Sequence, residues 1–363
     1  MSARDALRDA GTIVVKVGSS ALTDPSAFER VAKQLAEQRG VRSVLVSSGA
    51  IALGRRRLGM AQRPRDMPRL QAAAAAGQSL LVRRWEEAFE PFGVPVAQVL
   101  LTHADLTDRD RYLNARRALE ALLELGVVPI INENDTVAVE EIRFGDNDQL
   151  AAMVATLVGA DLLVLLTDVE GLLDGDARVS VIDDPKTAEG LVRPSGNASE
   201  GRGGMASKLD AAVRATKRGV PVVIASSHDP AVLGNVLAGA DVGTLVLPQG
   251  VKLASRKHWI AYTLRPRGDV LIDAGAVRAL KKGASLLAAG VVGVRGEMEP
   301  GDAVRLVGPD GEVGRGLVRY GTMDVARLAG AQTEEIDARL GRSASGVVVH
   351  RDDLVVDDGG SKD

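Results

Sequence analysis

Six short β-branched runs separated by longer segments of helical spacing dominate the first two thirds of this 363-residue chain, and that alternation admits few folds. The runs cover residues 12–17, 43–47, 94–101, 127–132, 162–167 and 220–225. Their near-continuous Val, Leu and Ile content is that of strands covered on both faces, not of strands with one wet face. Between them, residues 206–218 repeat Leu209, Ala212, Val213 and Thr216 at helical spacing, with Gly219 and then Pro221 as the stop. Residues 113–125 do the same before Gly126. The pattern predicts an α/β domain over residues 1–250, with an open, mostly parallel sheet and helices on both faces. Such sheets bind ligands at the carboxyl ends of their strands.

Near Pro248 the pattern changes. Residues 251–267 read as a basic linker carrying Lys252, Arg256, Lys257, Arg265 and Arg267. Short runs at 270–272, 291–294, 303–307, 316–320 and 346–350, with a turn signal at Pro309-Asp310-Gly311, predict a small, mainly-β domain over 268–354. A polar tail, 355–363, follows. Aromatics are only 2% of the chain, so both cores must be aliphatic, and the absence of cysteine excludes disulfides, thiolate metal sites and cysteine nucleophiles. Residues 1–10 contain Arg4, Asp5, Arg8 and Asp9 and lack an apolar run, and the most apolar stretch, 151–166, is broken by Asp161. A soluble cytoplasmic protein without membrane contact is the expectation.

Five polar segments fall at strand ends or helix starts. Lys16-Val17-Gly18-Ser19-Ser20 follows the first strand and suits either an anion or an ordinary turn; it lacks the Gly-Lys-Ser/Thr spacing of a P-loop. Ser48, in Ser47-Ser48-Gly49-Ala50, is a ligand group or simply a helix N-cap. Asn132-Glu133-Asn134-Asp135 and Gly145-Asp146-Asn147-Asp148 are dense polar clusters beside apolar runs, without the spacing of a calcium loop. Gly201-Arg202-Gly203-Gly204-Met205-Ala206-Ser207-Lys208 combines a glycine-rich approach, a helix start and a lysine, which suits a polyphosphate. Thr167-Asp168 ends a further strand. His103, His228, His258 and His350 lie outside all of these. Lysines, carboxylates, amides and hydroxyls without a histidine base point to phosphoryl transfer, where positioning and charge neutralisation carry the catalysis.

Together, Val14-Val15-Lys16, Ser48-Gly49-Ala50-Ile51-Ala52, Asn132-Glu133-Asn134-Asp135, Gly145-Asp146-Asn147-Asp148 and Gly203-Gly204-Met205, in this order, resemble the amino-acid kinase superfamily, in its branch that phosphorylates the side-chain carboxylate of glutamate as the first step of proline biosynthesis. The C-terminal part is similar to a PUA domain. The resemblance implies that Lys16 and Lys208 hold the transferring phosphoryl group and that Asp148 orients them. It implies glutamate binding by Ser48, Asp135 and Asn147, with Asp135 taking the α-ammonium and the Asn147 amide donating to the α-carboxylate. ATP binding would fall to Lys16, Thr167, Asp168, Arg202, Gly203, Gly204, Met205, Ala206, Ser207 and Lys208, with Mg2+ arriving on the phosphates. Homo-oligomers (dimers or tetramers) and feedback inhibition by proline are also implied. Arg202 stands where such chains often have threonine, and residues 171–201 are fewer than is usual. Acetylglutamate, aspartate and uridylate kinases share the nucleotide half, so the two Asx clusters alone separate these acceptors.

RNA binding is the rival from another class, because PUA domains occur in RNA-modifying proteins. Residues 268–363 hold 12 Lys/Arg against 16 Asp/Glu, and Tyr320 is their sole aromatic. RNA binding is therefore not expected. The run Ala72–Ala76 permits close helix packing, within the chain or between subunits.

Overall fold

The computed structural model describes residues 3–138, 147–185, 188, 204–249 and 266–356. It divides into two compact units, Met1–Lys252 and Leu253–Asp363. Each has its own core, mainly aliphatic, but the first is built around Phe28, Trp85 and Phe89 as well, which so low an aromatic content did not lead one to expect.

The first unit contains strands β1 (Thr12–Val17), β2 (Arg42–Ser47), β3 (Val96–Leu101), β4 (Val128–Glu133), β5 (Leu162–Thr167), β6 (Leu173–Asp174), β7 (Ala177–Arg178), β8 (Val181–Ile182), β9 (Val222–Ser226) and β10 (Thr244–Val246). Eight of them form one sheet in the order β3-β4-β2-β1-β5-β9-β10-β8. Every described pairing in it is parallel except β9 with β10. Around it lie α1 (Ser26–Glu37), α2 (Ala50–Arg57), α3 (Met67–Phe89), α4 (His103–Thr107), α5 (Arg109–Glu124), α6 (Asn147–Leu157), α7 (Met205–Thr216) and α8 (Val232–Leu237). No helix of the described residues is long and apolar enough to cross a membrane.

β1 is buried along its whole length, so its two faces serve different layers. Ile13, Val15 and Val17 join the core built with Phe28, Val31 and Leu35 of α1 and Trp85 of α3. Lys16, on the alternate face, reaches α6 instead. Asp161, the residue that interrupts the apolar stretch 151–166, fastens the strand's start by accepting from the N–H groups of Gly11 and Thr12 at 3.0 and 2.9 Å.

The run 220–225 yields a strand only from Val222, because Pro221 has no N–H to give the ladder. β8 and β10 are not among the anticipated strands; at two and three residues they are too short to show a period.

Part of the Ala72–Ala76 run packs within the chain, while Ala72 and Ala75 are exposed. Ala73, Ala74 and Gly77 are buried, and α2 crosses α3 so closely that a Cβ on Gly54 would stand 1.7 Å from the Ala73 carbonyl oxygen. A Cβ on Gly77 would stand 1.8 Å from that of Ala50. Two glycines are the condition for this backbone-to-backbone crossing.

The second unit runs β11 (Gly268–Ile272), α9 (Ala274–Lys281), β12 (Leu286–Leu287), β13 (Val291–Gly296), β14 (Ala303–Gly308), β15 (Gly311–Val318), α10 (Thr322–Leu328), α11 (Ile336–Leu340) and β16 (Val347–Val356). The sheet order is β12-β16-β15-β14-β11-β13. The run read at 316–320 is displaced: β15 starts at Gly311, straight out of the Pro309-Asp310 turn, and ends at Val318. Gly314 and Gly316 obscured it by breaking the apolar alternation. They are there because β16 approaches closely, 2.1 Å from Val355 O to an added Cβ at Gly314.

Candidate active site

β1, β2, β4 and β5 lie side by side and end on the same edge, which gathers Lys16, Ser48, Asn132 and Thr167. The first turn of α6 brings Asn147 and Asp148 to them.

Asp148 is the centre. It is 1% exposed, and its Oδ1 lies 2.5 Å from the Lys16 ammonium while its Oδ2 accepts from the Lys208 ammonium at 3.4 Å and from the Ser207 hydroxyl at 3.2 Å. Both lysines are themselves buried. Burial alone would raise the Asp148 carboxyl, but Lys16 and Lys208 outweigh it and hold the group below the usual carboxylate range. Burial pushes the Lys208 ammonium down, against the opposing pull of Asp148, with Lys16 adding to the depression. Three charges without water are tolerable only because each has an opposite partner.

A chain of amides and hydroxyls runs beside this group. Asn147 Nδ2 donates to Ser48 Oγ at 2.8 Å and to Asn132 Oδ1 at 3.1 Å, and Asn132 Nδ2 donates to Gln78 Oε1 at 2.8 Å. Ser48 is not the helix cap: Gly49 takes that place at φ 110°, a left-handed conformation suited to glycine, which leaves the Ser48 side chain facing Asn147. Below it, Trp85 Nε1 donates to Ser47 Oγ at 2.8 Å and so fixes the end of β2.

Both N–H groups of Asn147 are used inside the chain, so this side chain offers an acceptor, Oδ1, and not the donor expected of it. Asn147 Oδ1 and Gln78 Nε2 are buried polar atoms without a hydrogen-bond partner among the described residues. Such atoms cost stability unless a ligand pairs them. Asp135, after β4, is pushed up to about 6 by burial, with Arg63 acting in the opposite direction.

On the other side, α7 starts at Met205 after Gly204, which gives it no side-chain cap, and a helix start of this kind suits an anion. Thr167 is buried at the end of β5 and donates to Asp168 Oδ1 at 3.1 Å; Asp168 is exposed and close enough to favour the charged form of Lys208. Ala206 is exposed on the same turn. Gly145, Asp146, Arg202 and Gly203 lie outside the described residues.

Gln78 had no place in the sequence reading, and Asn132 had no role within its cluster. The available signal was a single glutamine directly after Gly77, within an otherwise small and apolar helical run.

Paired ammonium groups around one carboxylate, a polar amide pocket and an uncapped helix start define a class: a transferase for phosphoryl groups on an α/β sheet. Residues 11–226 match the amino acid kinase family and residues 268–340 match the PUA domain. The first match covers more than half of the chain, and the chain belongs to the amino acid kinase family.

More particular relatives carry one name. Glutamate 5-kinase of Thermus thermophilus is 50% identical over 358 residues, covering 95% of this chain and 96% of its own. Glutamate 5-kinase of Myxococcus xanthus is 49% identical over 371 residues, 97% of this chain and 98% of its own. That of Pelobacter propionicus is 47% identical over 371 residues, with 97% and 99% covered.

Proposed function

We propose that this chain is an ATP-dependent glutamate 5-kinase, converting L-glutamate to L-glutamyl 5-phosphate in the first step of proline biosynthesis. The observation that carries the reading is Asp148 held between the Lys16 and Lys208 ammonium groups. An oxygen of the glutamate side-chain carboxylate attacks the γ-phosphorus of ATP, the bond to the β,γ-bridging oxygen breaks, and ADP leaves with that electron pair. The nucleophile has a reference pKa near 4.3, so it is ionised at neutral pH without a general base. The obstacle is charge. At an effective dielectric of about 20, each pair of like unit charges ~4 Å apart costs about 4 kcal/mol.

Lys16 and Lys208 offset that repulsion from two sides, and Asp148 fixes their direction without meeting either substrate. The uncapped start of α7, at Met205, Ala206 and Ser207, serves the phosphates, and Thr167 and Asp168 border the nucleotide. Mg2+ fits as a passenger of ATP: both Asp148 oxygens are engaged by ammonium groups, so phosphate oxygens are its natural ligands. When bound, it supplies further neutralisation of the phosphate charge.

The acceptor pocket suits a zwitterion. Asp135 and Asn147 Oδ1 accept from the α-ammonium, while Gln78 Nε2 and the Ser48 hydroxyl donate to the α-carboxylate. That arrangement favours a free amino acid over an N-acylated one or a nucleotide. Cytoplasmic residence, a homo-oligomeric state and inhibition by proline belong to the same reading through the family resemblance.

ATP consumption with glutamate, aspartate, N-acetylglutamate and UMP tests it. Glutamate is expected to support turnover far above the other three; preference for any of those overturns the assignment.

A further inference from the structure

The second unit carries a charge pattern that its composition conceals. Its net charge over residues 268–363 is −4, yet three arginines of that span and Arg267 just before it line one cavity. The register aligns Arg295 of β13 with Asp269 of β11, Asp269 with Arg305 of β14, and Arg305 with Arg315 of β15. Residues directly opposite in a sheet point to the same side, so this row crosses four strands, about 14 Å at the usual strand spacing. Arg267, two residues before Asp269, joins them at the rim of a cavity of about 470 Å³ that all five residues line.

The carboxylates on this face do not balance it. Asp269 holds Arg305 through two hydrogen bonds of 2.6 and 3.0 Å, and Glu312 holds Arg315 at 2.8 Å. Arg267 and Arg295 make no ion pair among the described residues. Arg305 still has three N–H donors after its bonds to Asp269. Arg305 and Arg315 stand opposite one another, each with one carboxylate partner. The opposite face supplies the core through Val270, Val304 and Leu306, so packing does not require arginines on this one.

We propose that this face is a binding site for a small, multiply charged phosphate compound, held as a short polyphosphate by planar guanidinium forks. The cavity has the size of a small-molecule site. The net charge of −4 over residues 268–363 opposes a long polyanion, whose binding rests on an extended basic footprint. Tyr320, the sole aromatic of residues 268–363, is buried and donates to Ser345 O, so that span offers no exposed ring for base stacking. The compound is therefore recognised by its phosphates.

The test is calorimetric titration of the full chain with inorganic triphosphate, wild type against an Arg267→Gln/Arg295→Gln double variant. Any binding at the Lys16–Lys208 site is common to both proteins and cancels in the comparison. The wild-type isotherm is expected to contain a component that the variant binds roughly 100-fold more weakly. Unchanged thermal unfolding of the variant shows that the loss is local. Identical isotherms overturn the proposal. So does a single-stranded RNA that binds through these arginines while triphosphate does not, since the face would then be a nucleic-acid surface.

Discussion

Replacing Asp148 by Asn keeps the shape of the side chain and removes the one charge that Lys16 and Lys208 share. At 2.5 and 3.4 Å, and an effective dielectric of about 20, the two attractions amount to ~7 and ~5 kcal/mol before desolvation is subtracted. Burying the carboxylate cancels much of that, and breaking a buried ion pair from one side typically costs about 3–5 kcal/mol. For a unit of this size that corresponds to a melting temperature lower by about 10 °C.

The sign of the pH dependence follows from the depressed carboxyl. Its stabilisation is complete above the unfolded-state value near 4 and is lost as pH falls through the lower folded-state value. Thermal unfolding of wild type and Asp148→Asn should therefore differ most near pH 7 and converge only in strong acid. ATP consumption with glutamate should fall by at least about 100-fold, because two unanchored lysines no longer converge on one point. A variant that melts with the wild type at neutral pH and turns over normally would refute the three-charge account.

Lys208→Ala should abolish turnover while calorimetry still detects glutamate; equal loss of both would make Lys208 structural. Gln78→Leu should raise the KM for glutamate about five- to tenfold, through loss of about 1 kcal/mol of hydrogen bonding, with kcat little changed; an unaltered KM removes Gln78 from the acceptor site. Asp135 must be ionised to receive an ammonium group. With its carboxyl pushed up to about 6, the KM for glutamate should be flat above that pH and rise below it by up to about tenfold per unit. A profile flat to pH 5 contradicts that role. Gly54→Ala should destabilise the first unit by about 3 kcal/mol or more, since the new methyl meets a backbone oxygen that no side-chain rotation can clear; denaturant unfolding measures it.

The strands around the site were legible because burial on both faces writes them as unbroken aliphatic runs, and β1, β4 and β5 are buried throughout. β8, β10 and β12 are too short to carry a period, and β15 was masked by glycines that serve its neighbour rather than itself. Lys16, Asp148 and Lys208 could be picked out as charged residues beside apolar runs, but not their mutual distances, which depend on strand order. Gln78 was invisible for a related reason. Its importance lies in a contact with Asn132, 54 positions away, and no local pattern encodes that. The arginine row was hidden by averaging: residues 268–363 carry a net negative charge and still place three arginines in register.

The crossing at Gly54 and Gly77 has a consequence for how such an enzyme can change. Ser48 stands at the entry to α2 and Gln78 on α3, so the spacing of these two proposed acceptor contacts is set by a helix crossing in which Gly54 and Gly77 meet the carbonyl oxygens of Ala73 and Ala50. A seam of leucines would repack to admit a longer acid; peptide against peptide will not. Variants selected for a different acceptor should therefore gather around Asp135 and leave both glycines untouched.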